Sequence, residues 1–326
     1  MFMIFIYVFA GIFAGFAIAN MTPINARLRN KIESPFVAIV ISILVSTIVM
    51  AVATLLTRQP LWPTADFVGS HPPFIWLGGI IGAVYVTSNV LMFPKLGSIE
   101  TVVLPLLGQI LTGIVIDSFG LFNSPKVEPA LAKIMGVILL IVGLWITIVL
   151  SEKSRQDRLG SASGVQRWNW RIWGLIVGGM TAVQQTINGK LGGMLAAASN
   201  MVKGTIQGSF FAFFIGLIII LVIALIKERR VLPTKEQWKN LRPTDFLGGF
   251  FNGIVGIVRM WLRIVLSQTM VVALVDFGQI TTGLLVQQFG WWKSPKHKVN
   301  TLQIVGLLVM FAGVLLIVGV FNVFKF

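Results

Sequence analysis

Arg259 and Arg263 stand four residues apart in GIVRMWLRIV, and Asp276 follows in ALVDFGQI: three ionisable side chains in otherwise apolar sequence. The i, i+4 spacing puts both guanidiniums on one helix face, where they could hold an anionic group. Asp276 could titrate or bind a cation. A short turn near Ser267 would join their two helices as an antiparallel pair, with Arg259 and Asp276 at similar distances on either side of it. At matched depth the two could pair. The structural alternative is a buried ion pair, with Arg263 snorkelling to the interface. Ionisable groups inside a bilayer usually line a pathway, which makes Arg259, Asp276 and Arg263 the first candidates for cargo binding.

Neutral polar residues form a second set. Gln109 lies in GQILTGIVIDSFG and Gln279 in GQITTGLLVQQFG, stretches that match at an offset of 170 residues (Gly108 onto Gly278). If the halves containing them are inverted, a midplane site at the repeat interface would meet both glutamines. As packing groups they would instead hydrogen-bond between helices. Asn252, Tyr85, Asn89, Gln184 and Gln185 also fall inside apolar segments and could offer hydrogen bonds to a cargo. Asn25 and Asn188 stand where the first helix of each half would leave the membrane, and they are expected to cap or turn a helix end.

What must position these groups is a membrane scaffold. Of 326 residues, 56% are hydrophobic and 11% charged, against about 25% charged in a soluble domain; such a composition cannot make a water-facing surface. Ten apolar segments, near the length that crosses a hydrocarbon core, fall at 3–24, 35–57, 74–94, 98–119, 131–150, 171–189, 203–226, 245–265, 268–289 and 301–323. Between the fifth and sixth, SEKSRQDRLGSASGVQRWNW is charged and Ser/Gly-rich, as a flexible linker is. The expected organisation is a first five-helix repeat at 1–150, a cytoplasmic linker at 151–170 and a second five-helix repeat at 171–326. The N-terminal segment lacks a basic n-region and reads as a retained helix.

The duplication extends beyond the glutamine stretches. Ile24-Asn25-Ala26-Arg27-Leu28 aligns with Ile187-Asn188-Gly189-Lys190-Leu191, and Leu77-Gly78-Gly79 with Leu247-Gly248-Gly249. Five crossings is an odd number, so a head-to-tail duplication turns the second repeat upside down. The fold expected is all-α: ten transmembrane helices as two inverted-topology repeats. Loops after the odd-numbered helices carry 18 Lys/Arg and the opposite side six, which places the linker in the cytoplasm and both termini outside. Glycines four apart (Gly11/Gly15, Gly78/Gly82, Gly174/Gly178, Gly204/Gly208, Gly249/Gly253) are expected at close helix contacts, not in a nucleotide loop.

The stretches NMTPINARLRNKIESP, WLGGIIGAVYV and GQILTGIVIDSFG resemble the YdcZ-type inner-membrane proteins of the drug/metabolite transporter superfamily, whose five-helix unit occurs alone, as paired genes or fused in tandem. The resemblance is to the fused form and covers nearly the whole chain. It implies a multi-pass protein of the bacterial cytoplasmic membrane with a transport role, and it names no cargo. The chain departs from its own repeat at one acidic position: Gln287 stands where the first repeat has Asp117.

Other chemistries find little support. With no cysteine, disulfides, thiolate metal sites and Cys nucleophiles are excluded; His71 and His297 lie far apart in sequence, and no cofactor is called for. The net charge of +15 suits lipid phosphates, and no basic stripe with stacking aromatics points to nucleic acid. The leading expectation is a secondary transporter moving a small organic metabolite or amphipathic compound by alternating access. The partners expected with it are a small-molecule substrate, the lipid bilayer, protons as the coupling ion and a second copy of the chain in a homodimer. The alternative is an integral-membrane enzyme acting on a lipid or isoprenoid carrier, which would call for clustered acids, His or Cys at the interface.

Overall fold

A computed structural model of the chain describes residues 2–124, 126, 131–150, 164–293, 296 and 298–318. The regular structure among them is helical: α1 (Phe2–Ile32), α2 (Pro35–Leu56), α3 (Ala65–Ser70), α4 (Leu77–Phe119), α5 (Leu131–Leu144, prolonged by a π-helical turn Trp145–Leu150), α6 (Gly164–Ala197), α7 (Met201–Glu228), α8 (Lys235–Asn240), α9 (Leu247–Val265), α10 (Gln268–Phe289) and α11 (Thr301–Val318). Nine segments among the described residues are long and apolar enough to cross a membrane. The tenth expected crossing is α6, which carries Gln184, Gln185, Asn188 and Lys190 along its 34 residues.

Several expected boundaries shift. The helix expected at 3–24 runs on to Ile32 through Pro23, so Asn25 is not a cap; neither is Asn188, inside α6. Of the linker expected at 151–170, residues 151–163 lie outside the described residues and the rest opens α6. The segments expected at 74–94 and 98–119 form one helical run, α4, that contains Pro94 and Pro105. A Cβ built on Gly174 would meet both Leu104 Cβ at 3.0 Å and Met92 Sδ at 3.4 Å. Residues so far apart on a straight helix would be about 18 Å from each other, so α4 bends back between them, near Pro94.

Two short helices lie outside the expected segments. α3 and α8 are related by the same 170-residue offset, and each starts after a Pro-Thr pair whose threonine caps it: Thr64 accepts from Phe67 N and Thr234 from Gln237 N. Gln237 returns the bond to Thr234 N, which completes a capping box.

The chain divides into two compact units, each drawing on both repeats. The first comprises Met1–Phe16, Ser88–Val183 and Leu266–Phe326. Its main helix pair is α5 with α11. These are repeat equivalents, and they run antiparallel: a Cβ on Gly136 would stand 2.7 Å from Gly313 O, and one on Gly143 2.6 Å from Gly306 O. Numbers rise on one helix as they fall on the other. Around the pair, Ile110, Leu140, Leu144, Leu274 and Met310 form a buried cluster.

The second unit comprises Ala17–Thr87 and Gln184–Val265. It too is built on a pair of repeat equivalents, α2 with α7, joined by α9. Gln207, early in α7, donates to Pro60 O just beyond α2, while Arg230, past the end of α7, donates to Ile32 O before α2 begins. The two helices are therefore antiparallel. Equivalent helices pack head to tail in both units, as inversion of the repeats requires.

Candidate functional site

In the first unit the helix that carries Asp276 and Gln279 is held from its first residue. Ser267 caps α10 locally, accepting from Met270 N at 3.3 Å. From α4, Asp117 accepts Gln268 N at 2.8 Å and Thr269 N at 2.7 Å, one on each carboxylate oxygen. The following turns are packed solid: Val271 to Asp276 are each 0–1% exposed. Gly11 and Gly15 of α1 press against this helix at Leu274, Val275 and Gly278. The other repeat makes the matching contact, with Gly178 of α6 against Pro105 of α4 and Gly108 against Leu175. Gln109 and Gln279 each follow a glycine over which the first helix of the opposite repeat crosses, and Gln109 is buried. Asn89 belongs to this unit as well, next to Ser88, whose hydroxyl accepts from Trp173 Nε1 at 3.2 Å.

The second unit holds the other six candidates: Arg259, Arg263, Asn252, Tyr85, Gln184 and Gln185. Arg263 is 5% exposed, with its stem against Gly189 of α6. Gln184 Nε2 lies over Gly82, one turn from Tyr85, and Gln185 is buried beside it. Asn252 donates to Ser46 Oγ at 3.2 Å, and Ser46 in turn donates to Gly249 O at 2.8 Å. Arg259 and Asp276 fall in different units.

The two asparagines expected to be caps have another place. Asn25 Oδ1 abuts Gly248, and Asn188 Oδ1 abuts Gly78. Each reaches the Leu-Gly-Gly motif of the opposite repeat, where only a glycine leaves room for it. Asn25 also accepts from Ser42 Oγ at 3.3 Å.

Charge clusters that the spacing did not single out tie helices together on the basic side. In the first unit Arg171 grips Glu100 with Nε and Nη2 at 2.9 and 2.8 Å, and Arg167 adds Nη2 at 2.6 Å. Arg171 also lies over Trp168, 5.0 Å from the ring centre. In the second unit fully buried Asp245 takes Lys31 Nζ at 2.6 Å and Arg242 N at 2.7 Å. Arg27 Nε stands 2.7 Å from its other oxygen, but that approach is ionic and lacks hydrogen-bond alignment. The i, i+4 spacing of Arg27/Lys31 and Arg167/Arg171 was a visible signal; their acidic partners, distant in sequence, were not.

Two antiparallel five-helix repeats with ionisable side chains buried in their spans define an inverted-repeat membrane protein of the kind secondary transporters are built on. The chain belongs to the family described as "Putative inner membrane exporter, YdcZ", whose model matches residues 6–146 and again 169–316, once per repeat. It is accordingly a multi-pass inner-membrane protein of a transporter family, in tandem-fused form. No curated protein sequence matches it. One solved structure, described only as the crystal structure of a protein, covers 97% of this chain and 99% of its own with a TM-score of 0.66 and 12% identity, a likeness of fold alone. Membership of an exporter family speaks for transport over the enzyme alternative.

Proposed function

We propose that the protein is a secondary transporter that moves a small organic metabolite or amphipathic compound across the cytoplasmic membrane by alternating access, with Asp276 as its proton-linked group. The observation that carries this reading is Asp276 itself, a carboxylate 1% exposed in the middle of a membrane-spanning helix, where ionisable groups are costly and tend to serve transport. The inverted repeats and the exporter family support it. Gln109, Gln279 and Asn89 in the first unit, and Arg259, Arg263, Asn252, Tyr85, Gln184 and Gln185 in the second, are the proposed cargo contacts.

The test is flux in proteoliposomes containing the full chain, with ethidium as an amphipathic cation and a panel of amino and organic acids as probes, each with and without an imposed proton gradient. Gradient-driven movement of a probe, lost in Asp276→Asn, is expected. No movement of any probe by folded protein overturns the transport reading; flux unaltered in Asp276→Asn removes the coupling role. Arg259→Gln, Asp276→Asn and the double variant test their functional pairing. If they pair, each single change strands a charge in low dielectric, at about 3–5 kcal/mol, and the double change recovers folded yield but not flux. Stable, active single variants end the pairing.

A further inference from the structure

The start of α10 is held in two different ways, and only one of them is local. Like any helix, α10 presents four leading N–H groups with no intrahelical acceptor. Ser267 accounts for one, its hydroxyl taking Met270 N, while its carbonyl takes Val271 N in the first regular helical bond. Those of Gln268 and Thr269 go to Asp117 of α4, some 150 residues earlier. That carboxylate is 5% exposed, Gln268 is fully buried, and Gly113, one turn before Asp117, lets α4 lie close to Gln268 and Thr269. A negative charge at a helix N-terminus, hydrogen-bonded through both oxygens, is a strong and directional hold.

The repeat explains why the residue is an acid here and an amide at its counterpart. At the position equivalent to Ser267 the first repeat has Gly97, which stays helical within α4 although the helix bends near Pro94. No helix begins there, and Gln287 stands in place of the acid. The carboxylate occurs in the first repeat, facing the break that only the second repeat has.

We infer that Asp117 is a positioning residue: by fixing the first turn of α10 from α4, it sets where Asp276 and Gln279 stand. Those residues lie about 12 and 16 Å further along the same helix, and the tightly packed stretch between leaves little slack to absorb a shift of the first turn. The inference rests on the transport reading for its consequence, but its test needs no cargo.

The chain has no cysteine, so Gln279→Cys gives a single reporter, labelled with monobromobimane in the purified full-length protein. Asp117→Asn preserves shape but can accept through one atom only and turns an amide donor toward a backbone donor. Gln268→Pro removes one N–H from the other side of the contact, at a first helical position that suits proline, since Ser267 before it is already extended (φ −66°, ψ 157°). Ser267→Ala, which leaves the grip of Asp117 intact, is the control for merely losing a cap. In Asp117→Asn and in Gln268→Pro the labelling rate at position 279 should change roughly tenfold, as loss of a hydrogen bond to a charged group allows, with a shifted bimane emission. Ser267→Ala should lower thermal stability and leave both readings unchanged. Unchanged labelling and emission in whichever variant folds, or loss of the fold in both, overturns the inference. Because no substrate enters the measurement, failure of the transport reading would leave this result standing.

Discussion

Gly178→Ala, with its repeat image Gly15→Ala, probes the crossing of the first helix of each repeat over the other. A methyl at Gly178 would overlap the carbonyl oxygen, carbonyl carbon and Cα of Pro105; at Gly15 it would overlap Val275 O and Gln279 N. Each obstacle is backbone, which cannot rotate aside, so the helices would have to part by roughly 1 Å to restore ordinary contact. Overpacking costs about 1–3 kcal/mol, and the unyielding obstacle puts both changes at the upper end. At about 2 °C per kcal/mol for a chain of this size, the midpoint should fall by about 6 °C. Gly283→Ala is the matched control: it is on α10 with nothing within 4 Å of its Cβ position. There alanine is favoured over glycine by about 1 kcal/mol, and the midpoint should rise by about 2 °C. Scanning fluorimetry of purified protein in one detergent, at one scan rate, reads both signs. A Gly178→Ala protein as stable as Gly283→Ala would refute the close crossing.

Asp245→Asn keeps the shape of the residue while leaving Lys31 and Arg27 facing an amide. Their side chains are 26% and 23% exposed, so the usual penalty for breaking a buried pair shrinks to about 2 kcal/mol, or about 4 °C; a fall no larger than that of exposed Asp66→Asn would show the cluster to be idle. Inversion is tested by single cysteines at Asp66 and Glu236, equivalent exposed positions on α3 and α8. An impermeant maleimide should label the first on intact cells and the second only after permeabilisation, and labelling of both from one side would refute inversion.

The crossings were legible because the bilayer demands long apolar runs, and the duplication because both repeats kept the same punctuation. The glycine pairs were legible too: all ten named from spacing meet another helix or a buried side chain, from Gly11 against Leu274 to Gly253 against Met50. What spacing could not show was which helix end a polar residue serves. Asn25 and Asn188 looked like caps because Pro23 and Gly189 are close by, yet α1 and α6 continue past them and their amides fit the opposite repeat. Asp117 read as an unmatched acid, since its acceptor role depends on a helix start 150 residues later. The interfacial helices went unread because six residues carry too few periodic positions, although the Pro-Thr pair before each was a starting signal.

The internal symmetry governs packing and not chemistry. Glycines that let helices touch recur in both repeats: Gly78 with Gly248, Gly79 with Gly249, Gly108 with Gly278, Gly136 with Gly306 and Gly143 with Gly313. Most polar side chains do not recur. At the same offset Arg259 falls on Asn89, Arg263 on Phe93, Asp276 on Leu106 and Asn252 on Gly82, and Ser42 and Ser46 fall on Ala212 and Gly216. Among the candidate site residues, only Gln109 and Gln279 are identical across the repeats, while Asn89 and Arg259 share a position with different side chains. Close helix packing in a bilayer depends on small residues wherever two backbones meet, so both copies of the duplicated unit had to keep them. A buried charge has no such packing role and carries a standing cost, so it persists only where it serves. Arg259, Arg263 and Asp276 all stand in the second repeat, and the buried acid of the first, Asp117, is engaged with a helix start, which makes the second repeat the half where loss of function without loss of fold should be sought.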